Sequence, residues 1–238
     1  MESIKTFILY NVEDDRSVKN AKHCIKSFEG KTGYEPELYA GCWKTTLFEW
    51  KEKYGYWEGW DSKKSWSEET GQRKLATFYS HYSLWQKCLE LNKPIIIVEH
   101  DTECLLDLNV QFNAEEMILI QLTAHSMFDP YNLTKSGQIK THWARDKKNI
   151  NQYNSYGKGQ HDVFWKHPKR NGRHLAGNTG QLMTVSTAKY FIDTVHEKGW
   201  RQNDLIETPS EMKVQYVNPS PIKWIAAAEL NLSSGRMG

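Results

Sequence analysis

The chain has 238 residues, with 31 Lys and Arg against 29 Asp and Glu for a formal net charge of +2. A mean hydropathy of −0.72 and the lack of any apolar run of about 18 residues exclude a membrane-spanning reading, while the length suffices to bury a real core. So small a net charge neither identifies nor excludes a nucleic-acid binder, because a local patch outweighs the sum.

Residues 4–10 (IKTFILY) predict a first strand. The following RSVKNAKHCIKSFEG places Val18, Ala21, Ile25 and Phe28 at helical spacing, with Gly30 as the stop. ELYAGC predicts a short second strand. Residues 43–72, where Trp43, Trp50, Trp57, Trp60 and Trp66 are mixed with Lys, Glu and Gly, read as an aromatic-rich insertion outside the core. A long helix follows, with Leu75, Phe78, Tyr79, Tyr82, Trp85 and Leu89 on one face; it ends at Asn92, and Pro94 opens the apolar strand IIIVEHD. MILIQL (117–122) predicts another buried strand.

Residues 123–175 are polar and without clear periodicity, the pattern of a functional loop or lid. TGQLMTVS (179–186) predicts a strand leading into a helix from near Ser186, with Ala188, Phe191, Ile192 and Val195 inward. One or two strands and a tail complete the chain. Strands alternating with helices imply a single α/β domain over residues 1–238, with a mostly parallel central sheet flanked by helices.

The 10 Trp and 12 Tyr exceed ordinary core needs, and such surplus suits sugar, base or peptide surfaces. The four cysteines, at 24, 42, 88 and 104, form no C-x-x-C pair and read as buried thiols of a reducing compartment. With no signal peptide apparent, a cytoplasmic location is expected, and the sequons at Asn132 and Asn231 read as chance matches.

In an open α/β sheet, ligands gather outside the carboxyl ends of the strands. Glu99 and Asp101 stand at such an end, two residues apart, so both can face one side of an extended chain. Two carboxylates there repel unless a cation lies between them, and hard ions such as Mn²⁺ or Mg²⁺, which also hold phosphates, suit them. The competing reading is a solvated turn after a buried strand. A second candidate is KHPKRNGRH (166–174), which gathers Lys166, Lys169, Arg170 and Arg173 behind Phe164 and Trp165. Basic groups among aromatics suit phosphate contacts with base or sugar stacking; a plain solvated face is the alternative.

The succession of a helix carrying S-H-x-S-x-W (Ser80, His81, Ser83, Trp85), a Pro-containing turn and I-I-V-E-x-D resembles glycosyltransferase family 25, the lipooligosaccharide and procollagen galactosyltransferase group. ILYNVEDDRSVKNAKHCIKSF is similar to that family's first strand and Arg-containing helix, and GNTGQLMTVSTAKYFID with NDLIE to its later strand, helix and acidic loop. The family's strand end reads L-E-D-D, so His100 replaces the middle acid here.

The resemblance implies a GT-A-like fold, a UDP-sugar donor and a divalent cation held by Glu99 and Asp101, with Asp101 as the direct ligand. His100 could tune metal choice, since imidazole prefers softer ions. The resemblance also places the nucleotide near Asn11 and Arg16, where the residues alone equally allow helix capping by Asp14 or Asp15. It gives His81 a structural or donor-side role, where a satisfied buried histidine is the default. Asp204 is the candidate general base, with Glu207 in reserve, against ordinary loop carboxylates. Lys166, Lys169, Arg170, Arg173 and Trp165 are candidates for binding an acceptor. That acceptor is expected to be a hydroxylated base in modified DNA, with lipooligosaccharide or another glycan as the alternative. A non-catalytic carbohydrate- or DNA-binding module and a nucleotidyltransferase are the rivals from other classes.

Overall fold

The apolar runs become strands of one seven-stranded sheet in the computed structural model, which describes residues 2–57, 67–123, 159–162, 173–174, 179–200, 207–209 and 211–225. In chain order the strands are β1 (Ile4–Tyr10), β2 (Tyr34–Ala40), β3 (Ile95–Glu99), β4 (Thr102–Cys104), β5 (Ile118–Gln121), β6 (Gly159–Asp162), β7 (Arg173–His174), β8 (Gly180–Met183), β9 (Glu207–Thr208), β10 (Lys213–Asn218) and β11 (Ile222–Trp224). The helices are α1 (Asp15–Ser27), α2 (Leu47–Tyr54), α3 (Glu68–Leu91) and, labelled α4 here, Val185–Lys198.

The main sheet runs β2-β1-β3-β8-β5-β10-β6. Five of its seven strands (β1, β2, β3, β5 and β10) point one way, and β8 and β6 run against them. This is the mostly parallel α/β sheet that the alternation predicts, with two antiparallel members, and it is consistent with a GT-A-like fold. Two small ribbons, β4 with β11 and β7 with β9, stand beside it.

Helices cover both faces. Ile95 and Ile97 of β3 join Phe7, Leu119 and Met183 beneath the aromatic face of α3 and the inner face of α4. Ile96 and Val98 join Ile8, Ile120 and Leu182 on the other face, against Ala21, Cys24 and Phe28 at α1. With helices on both sides, a central strand must be apolar at every position, which is why β3 is an unbroken aliphatic run and not an alternating one.

Local chemistry sets the helix ends. Asp14 caps α1, its carboxylate accepting from Arg16 N and Ser17 N at 2.9 and 3.4 Å. Ser67 caps α3, which stops at Asn92 in the left-handed conformation before Pro94. Thr184 caps α4.

Three expectations need correction. The second strand runs from Tyr34 to Ala40 and contains Pro36; β2 is an edge strand, where a missing backbone donor is tolerated. Residues 43–72 hold α2 and the first turn of α3, and Trp50, Tyr54 and Trp57 pack on the core, while Trp60 and Trp66 lie outside the described residues. The Tyr79 hydroxyl donates to Gly55 O at 2.6 Å, closing this segment onto α3. Within 123–175, β6 and β7 are regular; residues 124–158, 163–172 and 175 lie outside the described residues.

Much of the aromatic surplus is core. Trp85 packs on Phe191 with ring centroids 5.1 Å apart, and Phe78 on the buried Trp200 at 5.7 Å. The four thiols are free and buried, and burial pushes those of Cys24, Cys42 and Cys88 up to about 12. Among the described residues no helix is long and apolar enough to cross a membrane.

Trp85 is the largest fully buried side chain of the aromatic layer. Trp85→Ala should cost about 3–5 kcal/mol, read as a lower urea midpoint with an unchanged slope.

Candidate functional site

The carboxyl end of β3 is held by backbone bonds on both sides. Glu99 N donates to Thr179 O at 2.9 Å, and His100 N donates to Leu9 O at 3.0 Å. The chain then turns at His100–Asp101, and the buried Thr102 hydroxyl closes that turn by donating to Glu99 O at 2.7 Å. The two carboxylates are therefore placed by a turn, which corrects the expectation that strand alternation points them to one side.

Asp101 sits at the tightest point. Its Oδ2 accepts from Trp224 Nε1 at 2.8 Å and its backbone carbonyl accepts from Ile225 N at 2.8 Å. Its Oδ1 is buried and has no hydrogen-bond partner among the described residues. Burial raises its carboxyl above the ordinary range, and the charge of Glu99 adds to the rise; His100 and the Trp224 bond oppose it. These are the residues the sequence nominates for a cation, and they offer it hard oxygens, one of them unclaimed by the protein. Among the described residues no group of three or more His, Cys, Asp and Glu side chains is arranged to hold a metal by itself.

The S-H-x-S-x-W segment of α3 has a distinct task for each residue. Ser80 Oγ accepts from Cys42 N at 2.8 Å while donating to Ala76 O at 2.8 Å. Ser83 Oγ accepts from the Tyr39 hydroxyl at 3.0 Å. The two serines thus fasten α3 to the end of β2. Gly41 permits the approach: a Cβ there would meet Ser80 Oγ at 2.8 Å and Leu9 Cδ1 at 2.9 Å. Between the serines, His81 is 1% exposed, and among the described residues neither ring nitrogen has a hydrogen-bond partner. Its Nε2 lies 3.8 Å from Glu99 Oε1, beyond hydrogen-bond range. The Nε2 side of the His81 ring is thus turned toward Glu99.

At the neighbouring end of β1, Asn11 N donates to Ser17 Oγ at 2.8 Å and Asn11 Oδ1 accepts from Glu13 N at 3.0 Å. Its Nδ2 is buried and unpartnered. Because Leu9 pairs with Glu99, Asn11 follows β1 out of the sheet beside the carboxylate turn. The capping alternative is also realised, by Asp14 and not by Asp15, and Arg16 lies half-buried in the first turn of α1.

Lys166, Lys169, Arg170, Trp165 and Asp204 lie outside the described residues. Arg173 and Glu207 fall on the paired strands β7 and β9, with Arg173 opposite Thr208 and His174 opposite Glu207. The sequence reading missed Trp224, and also Gln121 and Gln181, which stand side by side on β5 and β8. Both amide atoms of Gln121 are buried without partners. The available signal was a glutamine inside each of two apolar runs, ILIQ and GQLM.

The family model described as Glycosyltransferase family 25 (LPS biosynthesis protein) matches residues 49–206. No curated protein matches the chain. The matched span holds most of α2 and all of α3, β3 and α4, and with them His81, Glu99 and Asp101; β1, α1, β2, β10 and β11 lie outside it.

The raised carboxyl of Asp101 carries a stability consequence. Its folded value lies above its unfolded one, so its contribution to stability is full at low pH and is lost as pH rises through the folded value. In chelator at pH 7, Asp101→Asn should therefore melt above the parent. The gap should close as pH falls below about 4, where the unfolded carboxyl also protonates; calorimetric melts across that range check it.

Proposed function

The chain belongs to glycosyltransferase family 25, and from that premise we propose that it moves a sugar from a UDP-sugar to an acceptor hydroxyl in a metal-dependent reaction. The observation that carries this reading is the buried Asp101 oxygen, without a protein partner, at the carboxyl end of β3. Glu99 and Asp101 would hold Mn²⁺ or Mg²⁺, with phosphate oxygens and water completing the coordination. The bound cation would offset the charge that the leaving diphosphate gains as the glycosidic bond breaks.

The remaining roles fall to the chain's own groups. The Asn11 amide offers an unused donor for the ribose or base, with Arg16 following on α1. The His81 ring, 3.8 Å from Glu99, would serve a structural or donor-side role. Asp204 is the proposed base that takes the proton of the attacking hydroxyl, with Glu207 in reserve.

We assign the acceptor to a hydroxylated base in modified DNA. Lys166, Lys169, Arg170 and Arg173 would contact phosphates, and Trp165 would stack on a base. The description of the matched family as an LPS biosynthesis protein favours a second reading, in which lipooligosaccharide or another glycan accepts the sugar.

One labelling experiment separates these outcomes. With Mn²⁺ and radiolabelled UDP-sugars, label should enter DNA bearing hydroxymethylated pyrimidines and not unmodified DNA. Label in lipooligosaccharide alone would move the acceptor to the second reading. No metal-dependent turnover of any UDP-sugar, even by hydrolysis, would sink the catalytic reading in favour of a binding module; turnover of nucleoside triphosphates instead would point to a nucleotidyltransferase. Asp101→Ala should lower turnover by at least about 100-fold with the fold retained.

A further inference from the structure

We infer that Trp224, on a strand outside the family-matched segment, positions Asp101 for the cation. This rests on the reading of Asp101 as a metal ligand and adds a residue that neither the motif nor the family match contains.

The turn that carries Asp101 is secured from two directions. On one side, Ser27 Oγ of α1 accepts from Cys104 N at 2.8 Å, and Cys24 Sγ lies 3.4 Å from Thr102 Oγ1. On the other side stands β11. Trp224 pairs with Thr102, and Ile222 with Cys104. Ile222 N donates to Leu122 O at 3.1 Å, and Ile225 N donates to Asp101 O at 2.8 Å. β11 thus spans from the end of β5 to the turn after β3, and its last residue delivers the indole N–H to Asp101 Oδ2 at 2.8 Å.

The chemistry of that donor matters. An indole N–H donates one bond, accepts none and carries no charge. It fixes the carboxylate without neutralising it, so the full negative charge remains for a cation. An Arg or Lys in its place would make an ion pair and compete with the metal. Because Oδ2 is engaged by the indole, the bond also selects Oδ1 as the oxygen left without a partner among the described residues. Groups that orient metal ligands in this way typically change metal affinity by about 10–100-fold when removed.

Trp224→Phe keeps the ring and removes only the donor. Mn²⁺ binding, followed by the paramagnetic resonance of free Mn²⁺ in the presence of UDP, should weaken by about 10-fold or more. UDP binding in chelator should stay at the parent value, a split that general loosening of the fold would not give. Parent-like Mn²⁺ affinity in folded Trp224→Phe overturns the inference. Failure of the parent protein itself to bind Mn²⁺ removes the Asp101 reading beneath it, a separate result seen before any variant is made. Should Trp224→Phe not fold, the indole N–H resonances of the parent decide: one must exchange slowly and broaden with Mn²⁺ but not with Mg²⁺, and the absence of such a signal overturns the inference.

Discussion

The site depends on the burial of β3. Ile95, Ile96, Ile97 and Val98 have no accessible surface, and the strand is paired in parallel with β1 and antiparallel with β8. At about 1.5–3 kcal/mol for each aliphatic side chain, this run contributes on the order of 6–12 kcal/mol against its entropy cost, so its register has little freedom to slip. A shift by one residue would exchange the contents of the two cores. Fixing β3 therefore fixes where the apolar run stops, and Glu99 must emerge where the helix-covered layer ends.

What happens at that end is the reverse of what happens inside the sheet. Among the described residues, buried side-chain polar atoms without partners belong to Asn11, His81, Asp101 and Gln121. Asn11 follows the carboxyl end of β1, Asp101 follows β3, Gln121 closes β5, and His81 reaches Glu99 from α3. Each such group costs about 1–3 kcal/mol when left unpaired. The cost falls at the strand ends where open α/β sheets hold ligands, while Ser80, Ser83 and Thr102 nearby are fully engaged. Tight fastening of the scaffold beside unused donors and acceptors is the pattern of a site built for something outside the chain.

The sequence discloses those features whose causes are local. The aliphatic run of β3, the inward face of α3 from Phe78 to Trp85 and the stop at Asn92 follow from periodicity and capping, and all appear as read. The edge strand β2 was read short because Pro36 looks like a break until the strand is known to lie at the edge. α2 is hidden because its one tryptophan, Trp50, sits among charges, and only packing on the α3 core reveals an inner face. At the site, Glu99, Asp101 and His81 stand in one stretch and were legible together. The Trp224 bond was not, because it joins residues 123 positions apart and neither residue announces the other.

His100, which stands where the resemblance implies an acid, acquires a reason from the same turn. The backbone N–H of His100 is already committed to Leu9 O, so the substitution leaves the pairing of β1 with β3 intact. Its side chain instead acts on charge. Asp101 is pushed toward protonation by burial and by Glu99, and His100 opposes that push. A carboxylate at position 100 would add to the repulsion, whereas an imidazole offsets part of it. A buried carboxylate keeps more of its ionised form beside a neighbour that lowers its proton affinity. On the proposed reading, in which Asp101 meets a cation as an anion, a histidine at position 100 serves that role better than a further acid would.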